Sequence, residues 1–131
     1  PLLLKISPDE DYIIIENIVC LAKELGFSGV IATNTSAERV HNNKVESFEP
    51  GGLSGEPLEV KSNNIIKFIS KVTNYDFPII GVGGIGSTDA AIKKLDAGAT
   101  LLQIYTPLVY EGPFFPSKLV HSLKHRKRKW V

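Results

Sequence analysis

The chain alternates short, continuous apolar runs with segments whose apolar residues recur at helical spacing. The first run, residues 2–6, predicts a buried strand, and residues 7–10 after it carry a cap, a proline and acids in the order that begins helices. Gly26 is placed to end the helix that follows, in a left-handed conformation. The apolar face predicted for that helix consists of Ile14, Ile18, Leu21, Ala22 and Leu25.

Three more units of the same kind follow. Apolar runs at residues 29–33, 78–84 and 100–105 predict strands. Each is followed by a predicted helix, and Ser87 is the expected cap of the second of these. The apolar residues that predict the three helices are Ile65, Ile66, Ile69 and Val72, then Ala91, Ile92 and Leu95, then Phe115, Leu119 and Leu123.

The strands show no alternation of polar and apolar residues. Such strands are covered on both faces, as in a parallel sheet with helices outside it. The predicted class is therefore α/β, and four strand–helix units fit either an open doubly wound sheet or half of an eight-stranded barrel. The pattern alone does not choose between them.

Glycines cluster at the end of the third predicted strand, just before a helix. Gly83 and Gly84 there let a ligand approach the backbone, and the start of a helix suits a phosphate. Tyr105 and Thr106 end the next strand, so both strand ends could bind one phosphate. The spacing is not the dinucleotide-binding fingerprint. The alternative is a plain tight turn.

Three other segments have candidate chemistry. A long polar loop from Asn34 to about residue 57 contains glycines at 51, 52 and 55, which fit a loop lying over a cofactor or, alternatively, a flexible hinge. Lys5 ends an apolar strand and would face a ligand, unless it is a surface lysine that extends into water. Residues 33–36 offer hydroxyls and an amide to a small polar substrate or, alternatively, form a helix cap or a turn.

Composition excludes some functions. The 131 residues are 43% hydrophobic and 22% charged, and no apolar run is long enough to span a bilayer. The net charge of +1 is uneven, because five of the 15 basic residues lie in the tail at 124–131. That tail is expected to be solvated, with no nucleic-acid partner. Cys20 is expected to be an inert thiol, and the three histidines lack metal-ligand spacing, so no metal is predicted.

Taken in order, these blocks resemble one enzyme family, the class 2, quinone-dependent dihydroorotate dehydrogenases. Tyr105 and the Gly-Leu-Ser-Gly-x-Pro-Leu sequence at residues 52–58 favour class 2 over the cytosolic class 1 branch. The absence of Met and the start at Pro1 fit a piece of a longer chain. The segments that carry the resemblance are 4–9, 31–35, 51–58 with 61–62, 79–85 with 97–99, and 102–106 with 110–113.

The resemblance implies a TIM-barrel fold, of which residues 1–131 supply about the last four β/α units as one partial domain. It implies an FMN cofactor and oxidation of dihydroorotate to orotate, with a quinone as electron acceptor, in pyrimidine synthesis. Asn34 and Thr35 would bind dihydroorotate or orotate. The residues implied to bind FMN are Lys5, Thr33, Ser54, Gly55, Gly83, Gly84, Tyr105 and Thr106.

The resemblance also implies that some working parts lie elsewhere. The serine base of class 2 enzymes is expected upstream of Pro1, so no catalytic residue is assigned within this chain and the 131 residues alone are expected to be inactive. The missing N-terminal region is expected to place the protein peripherally on a bacterial or mitochondrial inner membrane. Half a barrel would expose strand edges and an apolar inner face.

Two rival interpretations stay open at this point. One is another phosphate-binding barrel oxidoreductase, such as an FMN-dependent hydroxy-acid oxidase or a nucleotide dehydrogenase. Lys5 together with residues 33–35 argues against that reading. The other is a non-catalytic half-barrel remnant that binds a phosphate ligand or nothing.

Overall fold

The protein, in a computed structural model, is a parallel sheet with helices packed on one face. The structure describes residues 1–37, 40–41, 44–45 and 51–124, so the basic tail lies outside the described residues from position 125 onward. Within these ranges, no helix is long and apolar enough to cross a bilayer.

The main elements follow the predicted alternation. The strands of the main sheet are β1 (Leu3–Ile6), β2 (Gly29–Ala32), β5 (Ile79–Val82) and β6 (Leu101–Gln103), and the short strands β3 (Val40–His41) and β4 (Lys44–Val45) pair as an antiparallel hairpin. The helices are α1 (Tyr12–Glu24), α2 (Glu59–Val72), α3 (Thr88–Asp96), α4 (Pro107–Glu111) and α5 (Phe115–Lys124), with a 3-10 turn at Glu56–Leu58.

The order of the strands separates the two architectures that the sequence left open. The sheet runs β1-β2-β5-β6 with every pair parallel, so each strand of the main sheet lies beside the one before it in the chain. A doubly wound sheet instead reverses its strand order at a switch point. Sequential parallel strands with helices between them are the arrangement of a β/α barrel, as predicted.

One face of the sheet forms the core against the helices. Ile6, Ala32 and Gly81 lie in register across the sheet and are buried beneath α1, α2 and α3. The neighbouring row alternates to the other face. It contains Lys5 and, at its far end, Leu101, whose side chain is 61% exposed. This second face has no layer over it among the described residues, as half a barrel requires.

The predicted apolar face of α1 is rotated from the observed one. The helix buries Ile15, Val19 and Ala22, whereas Ile14 and Leu21 are 43% and 54% exposed. Helical spacing identified the element but not its buried side, because α1 is apolar over more than one face and its packing partners select the stripe that is covered. Gly26 does adopt the left-handed conformation, with φ of 80°.

Of the two helix N-caps predicted from the sequence, the one at α3 is present and the one at α1 is not. Ser87 caps α3 as predicted, because its hydroxyl accepts a hydrogen bond from the Ala90 amide at 3.1 Å. Residues 7–10, by contrast, do not cap α1. That helix begins at Tyr12, and the preceding residue, Asp11, makes no side-chain cap. Asp9 has another use, described below.

Candidate functional site

A cleft of about 250 Å³ lies at the carboxyl ends of the four main strands. All ten predicted site residues line it. The structure therefore brings together side chains and glycines separated by up to about a hundred positions in the sequence. They meet at the carboxyl ends of the strands, where β/α barrels place their active sites. The ten are Lys5, Thr33, Asn34, Thr35, Ser54, Gly55, Gly83, Gly84, Tyr105 and Thr106. Their individual binding roles stay predictions.

The glycine segment after β5 is pressed against the start of α2. Gly83 and Gly84 have φ of 105° and 75°, which side chains rarely adopt. A Cβ on Gly84 would lie 2.5 Å from the Cα of Glu59, and one on Gly83 would lie 3.1 Å from Leu58. Only glycine fits these two positions, and it leaves the backbone open to the cleft.

The glycine loop of residues 51–55 also reaches the cleft, which Ser54 and Gly55 line. Gly55 has φ of 79°, and a Cβ there would lie 3.2 Å from the Thr106 methyl group. The Thr106 hydroxyl donates to the Ser54 hydroxyl at 3.1 Å. The predicted grouping of the 51–55 loop with the end of β6 is thus present as a direct contact.

The segment after β2 is held by both neighbouring strands. The Asn34 amide donates to the Ile6 carbonyl at 2.7 Å, and the Thr33 amide donates to the Val82 carbonyl at 3.2 Å. Thr33 is buried, while Asn34 and Thr35 are exposed at the cleft. Residues 34 and 35 can therefore present polar side chains to a ligand from a backbone that is fixed on both sides.

Asp9 is a functional candidate that the sequence reading missed. One carboxylate oxygen accepts from the Ser36 hydroxyl at 2.5 Å and from the Lys61 ammonium at 2.7 Å, and the other accepts from the Ala37 amide at 2.6 Å. Burial alone would raise the pKa of Asp9. The hydrogen bonds from Lys61, Ser36 and Ala37 outweigh that effect and lower the pKa below its ordinary value of 3.8.

Asp9 also connects both ends of the long loop. Ser36 pairs with Leu53 through two backbone hydrogen bonds of 2.7 and 3.1 Å, and Gly52 packs directly against Thr35. Thr35 and Ser54, the cleft residues next to this pair, are therefore positioned together. We call the hydrogen-bonded set of Asp9, Ser36, Ala37 and Lys61 the Asp9 network. The hairpin of β3 and β4 lies within this loop, which the sequence reading had left without structure.

Lys94 was also missed. Its side chain is fully buried, and its ammonium donates to the Ser62 hydroxyl at 3.0 Å and to the Asn63 side-chain oxygen at 2.7 Å. Ser62 in turn donates to the Val82 carbonyl at 2.6 Å, directly before Gly83. Burial lowers the pKa of Lys94 to about 8, against the opposing effect of Glu59. Lys94, Ser62, Asn63 and the Val82 carbonyl form the Lys94 network.

In the described part of the chain, no cluster of three or more His, Cys, Asp or Glu residues could hold a metal ion. Cys20 on α1 is half-buried, and it lies on the helix layer rather than among the residues that line the cleft. Lys5 is the one charged side chain among the described residues that line the cleft. The site therefore combines glycine backbone, hydroxyls, the two side-chain amides of Asn34 and Gln103, and a single cation with an apolar lining.

Comparison with known proteins decides the family. The sequence model of the family described as dihydroorotate dehydrogenase matches residues 1–126. The chain belongs to the dihydroorotate dehydrogenase family. The match sets aside the rival oxidoreductase families considered from the sequence, and it accounts for the barrel-type order of the strands.

Relatives within the family support the quinone-dependent branch. The chain is 48% identical to a dihydroorotate dehydrogenase (quinone) from Christiangramia forsetii, covering 86% of this chain and 33% of the relative. It is 42% identical to one from Nostoc punctiforme, covering 94% and 35%. Thus the chain spans about a third of the length of the curated relatives that it matches.

Solved structures agree on the fold. The ligand-free dihydroorotate dehydrogenase of Eimeria tenella matches with a TM-score of 0.81 and 36% identity, over 95% of this chain and 36% of that protein. A structure of the enzyme from the same organism, described as a complex with ferulenol, matches equally well over 94% and 34%. The partial TIM-barrel prediction is confirmed.

Proposed function

We propose that residues 1–131 supply the FMN-phosphate and substrate side of a quinone-dependent dihydroorotate dehydrogenase, which oxidises dihydroorotate to orotate in pyrimidine synthesis. The observation that supports this most is the convergence of all ten predicted residues on one strand-end cleft. Family membership supports the reaction class.

The residues present fit FMN. The phosphate would meet the backbone of Gly83 and Gly84, where the glycines leave no side chain in the way and α2 begins directly behind them. The ribityl phosphate would also be bound by Ser54, Gly55, Tyr105 and Thr106. When bound, FMN supplies the acceptor for the hydride that leaves dihydroorotate.

The remaining cleft residues suit the ring and the substrate. Lys5 and Thr33 would contact the isoalloxazine, where the Lys5 ammonium favours negative charge on the ring. Asn34 and Thr35 would hydrogen-bond the substrate. The serine that removes the substrate proton is proposed to lie outside residues 1–131, and the quinone and membrane contacts likewise, so the whole activity is proposed for the natural protein that contains this chain.

The test uses dihydroorotate-dependent reduction of a quinone or dye by the natural protein. Asn34→Ala should lower kcat/KM for dihydroorotate on the order of 10²-fold, because an oriented polar contact to the substrate is lost. Asn64→Ala, on the exposed side of α2, is the matched control and should leave kcat/KM unchanged. Equal effects of the two variants would contradict the assigned substrate side.

A second measurement addresses the 131 residues on their own. The purified chain is expected to show no dihydroorotate-dependent turnover, because the base is proposed to lie outside it and one sheet face is uncovered. Clear turnover by the isolated chain would overturn the placement of the base. Absence of flavin from the natural protein would instead favour a non-catalytic remnant.

A further inference from the structure

Lys94 carries a buried charge that the proposed reaction does not use. It lies on α3 and joins that helix to α2 through Ser62 and Asn63, at 3.0 and 2.7 Å. Long, charged side chains are seldom fully buried, because removing the ammonium from water costs free energy unless specific partners replace the water. A buried lysine at this position therefore indicates a role that an apolar side chain would not fill.

The partners of Lys94 lead directly to the glycine segment. Ser62 accepts from Lys94 and donates to the Val82 carbonyl at 2.6 Å, and Val82 is followed by Gly83. A Cβ on Gly83 would lie 3.4 Å from the Cβ of Ser62. The position of α2 relative to the end of β5 therefore sets the position of the segment that faces the cleft.

The methylene stem of Lys94 reinforces the same contact. A Cβ on Gly81 would lie 2.8 and 2.9 Å from the Cγ and Cδ atoms of Lys94. The stem thus packs against the backbone of β5, and the ammonium bonds to α2. Lys94 joins the two elements between which the glycine segment runs.

Lys94 and the adjacent Lys93 differ in their exposure to solvent. Lys93 pairs with Glu59 at 3.1 Å, and its side chain is 65% exposed, so water screens that charge. Lys94 is buried on the side of the same helix that packs against α2 and β5, where screening is weaker. Two adjacent lysines on α3 thus differ in burial and in their partners on α2.

We propose, building on the FMN function above, that Lys94 is a positioning residue for the flavin phosphate. It acts through Ser62 and the Val82 carbonyl and holds Gly83 and Gly84 where their backbone meets the phosphate. The contribution is specific to the phosphate end of the ligand. Lys94 therefore determines how strongly the protein prefers FMN to riboflavin, which lacks the phosphate.

The experiment measures dissociation constants for FMN and riboflavin by quenching of flavin fluorescence, with the natural protein freed of flavin. Wild type should prefer FMN. Lys94→Met keeps an apolar stem but removes the ammonium, and it should weaken FMN binding about tenfold or more while changing riboflavin binding less than about threefold. Lys93→Met removes the same charge one residue away and should leave both constants within about twofold.

Ser62→Ala provides a second route to the same result. It retains Lys94 but removes the link to the Val82 carbonyl, so the preference for FMN should again fall. Near-ultraviolet circular dichroism reports whether each variant is folded. If Lys94→Met does not fold, the outcome with Ser62→Ala decides.

The outcomes separate the two proposals. A wild-type protein that binds FMN no better than riboflavin contradicts the proposed function, and the role of Lys94 with it. A wild-type preference that persists undiminished in folded Lys94→Met, or in Ser62→Ala, overturns the role of Lys94 alone. Equal losses of FMN and riboflavin affinity indicate a general structural lysine and also overturn it.

Discussion

The Asp9 network and the Lys94 network both fix backbone at the strand ends, yet they do so with opposite electrostatics. The pKa is lowered in each. For Asp9 the lowered pKa means that three donors favour the charged carboxylate. For Lys94 it means that burial disfavours the charged ammonium. The same direction of shift therefore marks a stabilised charge in one network and a costly charge in the other.

The difference follows from what each network holds. Asp9 fixes loop segments near the surface, where its side chain is 19% exposed and three donors can converge on it. Lys94 fixes two helices and a strand from within the core, where an ammonium finds two acceptors on α2. The Asp9 carboxylate thus holds loop segments while its charge is stabilised, whereas the Lys94 ammonium holds core elements at a cost in desolvation.

The largest loss of stability and of FMN binding is expected from a substitution in the glycine segment that the Lys94 network contacts. Gly84→Ala places a Cβ 2.5 Å from the Glu59 Cα at φ of 75°, so backbone must move. The free energy of unfolding of the natural protein should fall by about 3 kcal/mol, measured by chemical denaturation, and FMN binding should be lost. Gly86→Ala, with open space around its Cβ, should cost less than about 0.5 kcal/mol.

Asp9→Asn tests the other side of the comparison. An amide cannot accept from Ser36, Lys61 and the Ala37 amide together, so one donor loses its partner. We expect a loss of about 2 kcal/mol in stability and a fall of at least about tenfold in kcat/KM for dihydroorotate, since residues 33–35 shift. Glu10→Gln, on the exposed neighbour, should change neither quantity.

The pH dependence of Asp9 has a definite sign. Because the pKa in the folded protein lies below 3.8, the stabilisation is complete above that value and is lost as the pH falls below it through the lowered pKa. Wild type should therefore lose more stability than Asp9→Asn in that acidic range. Identical acid profiles would show that the network does not favour the carboxylate.

Lys94 should show its effect at alkaline pH. Between about 8 and 10.5 the unfolded lysine stays protonated while the folded one releases its proton, so stability rises with pH. The rise should be on the order of 2 kcal/mol, and Lys94→Met should lose it. Lys93→Met should retain it. A wild-type profile that stays flat over this range would contradict the costly buried charge.

The smallest effect is expected where neither network operates. Lys23 and Asp76 pair at 3.2 Å with side chains 41% and 86% exposed. Asp76→Asn should therefore change the free energy of unfolding by less than about 0.5 kcal/mol, and added salt should remove the difference. A larger change would mean that exposure is a poor guide to the energetics of charge pairs in this protein.

Local pattern was sufficient for the four strands of the main sheet, for a helix after each of them, and for grouping ten of the residues that line the cleft. Strands and helices follow from periodicity, and the glycines after β5 mark positions that a side chain cannot occupy. Because parallel strands bring their carboxyl ends to one edge, residues at those ends could be grouped before any coordinates were known. The choice of barrel over doubly wound sheet needed the strand order or the family resemblance.

The two networks could not be read from local pattern, since their partners are distant in sequence. Asp9 bonds residues 27 and 52 positions away, while its immediate surroundings look like a helix start. Lys94 had a weak signal: it shares the buried side of α3 with Ala90 and Ala91, four and three positions earlier. A lysine on an apolar stripe is ordinarily taken as a surface residue, so only the packing revealed its burial.

The double use of the Val82 carbonyl has one more consequence. Its oxygen accepts from the Ser62 hydroxyl and from the Thr33 amide, which occupies both lone pairs. Neither lone pair of this oxygen is then free to face an incoming anion. At this strand end, binding of an anionic ligand therefore depends on two features. The backbone amides are available as donors, and the Val82 carbonyl is already engaged as an acceptor.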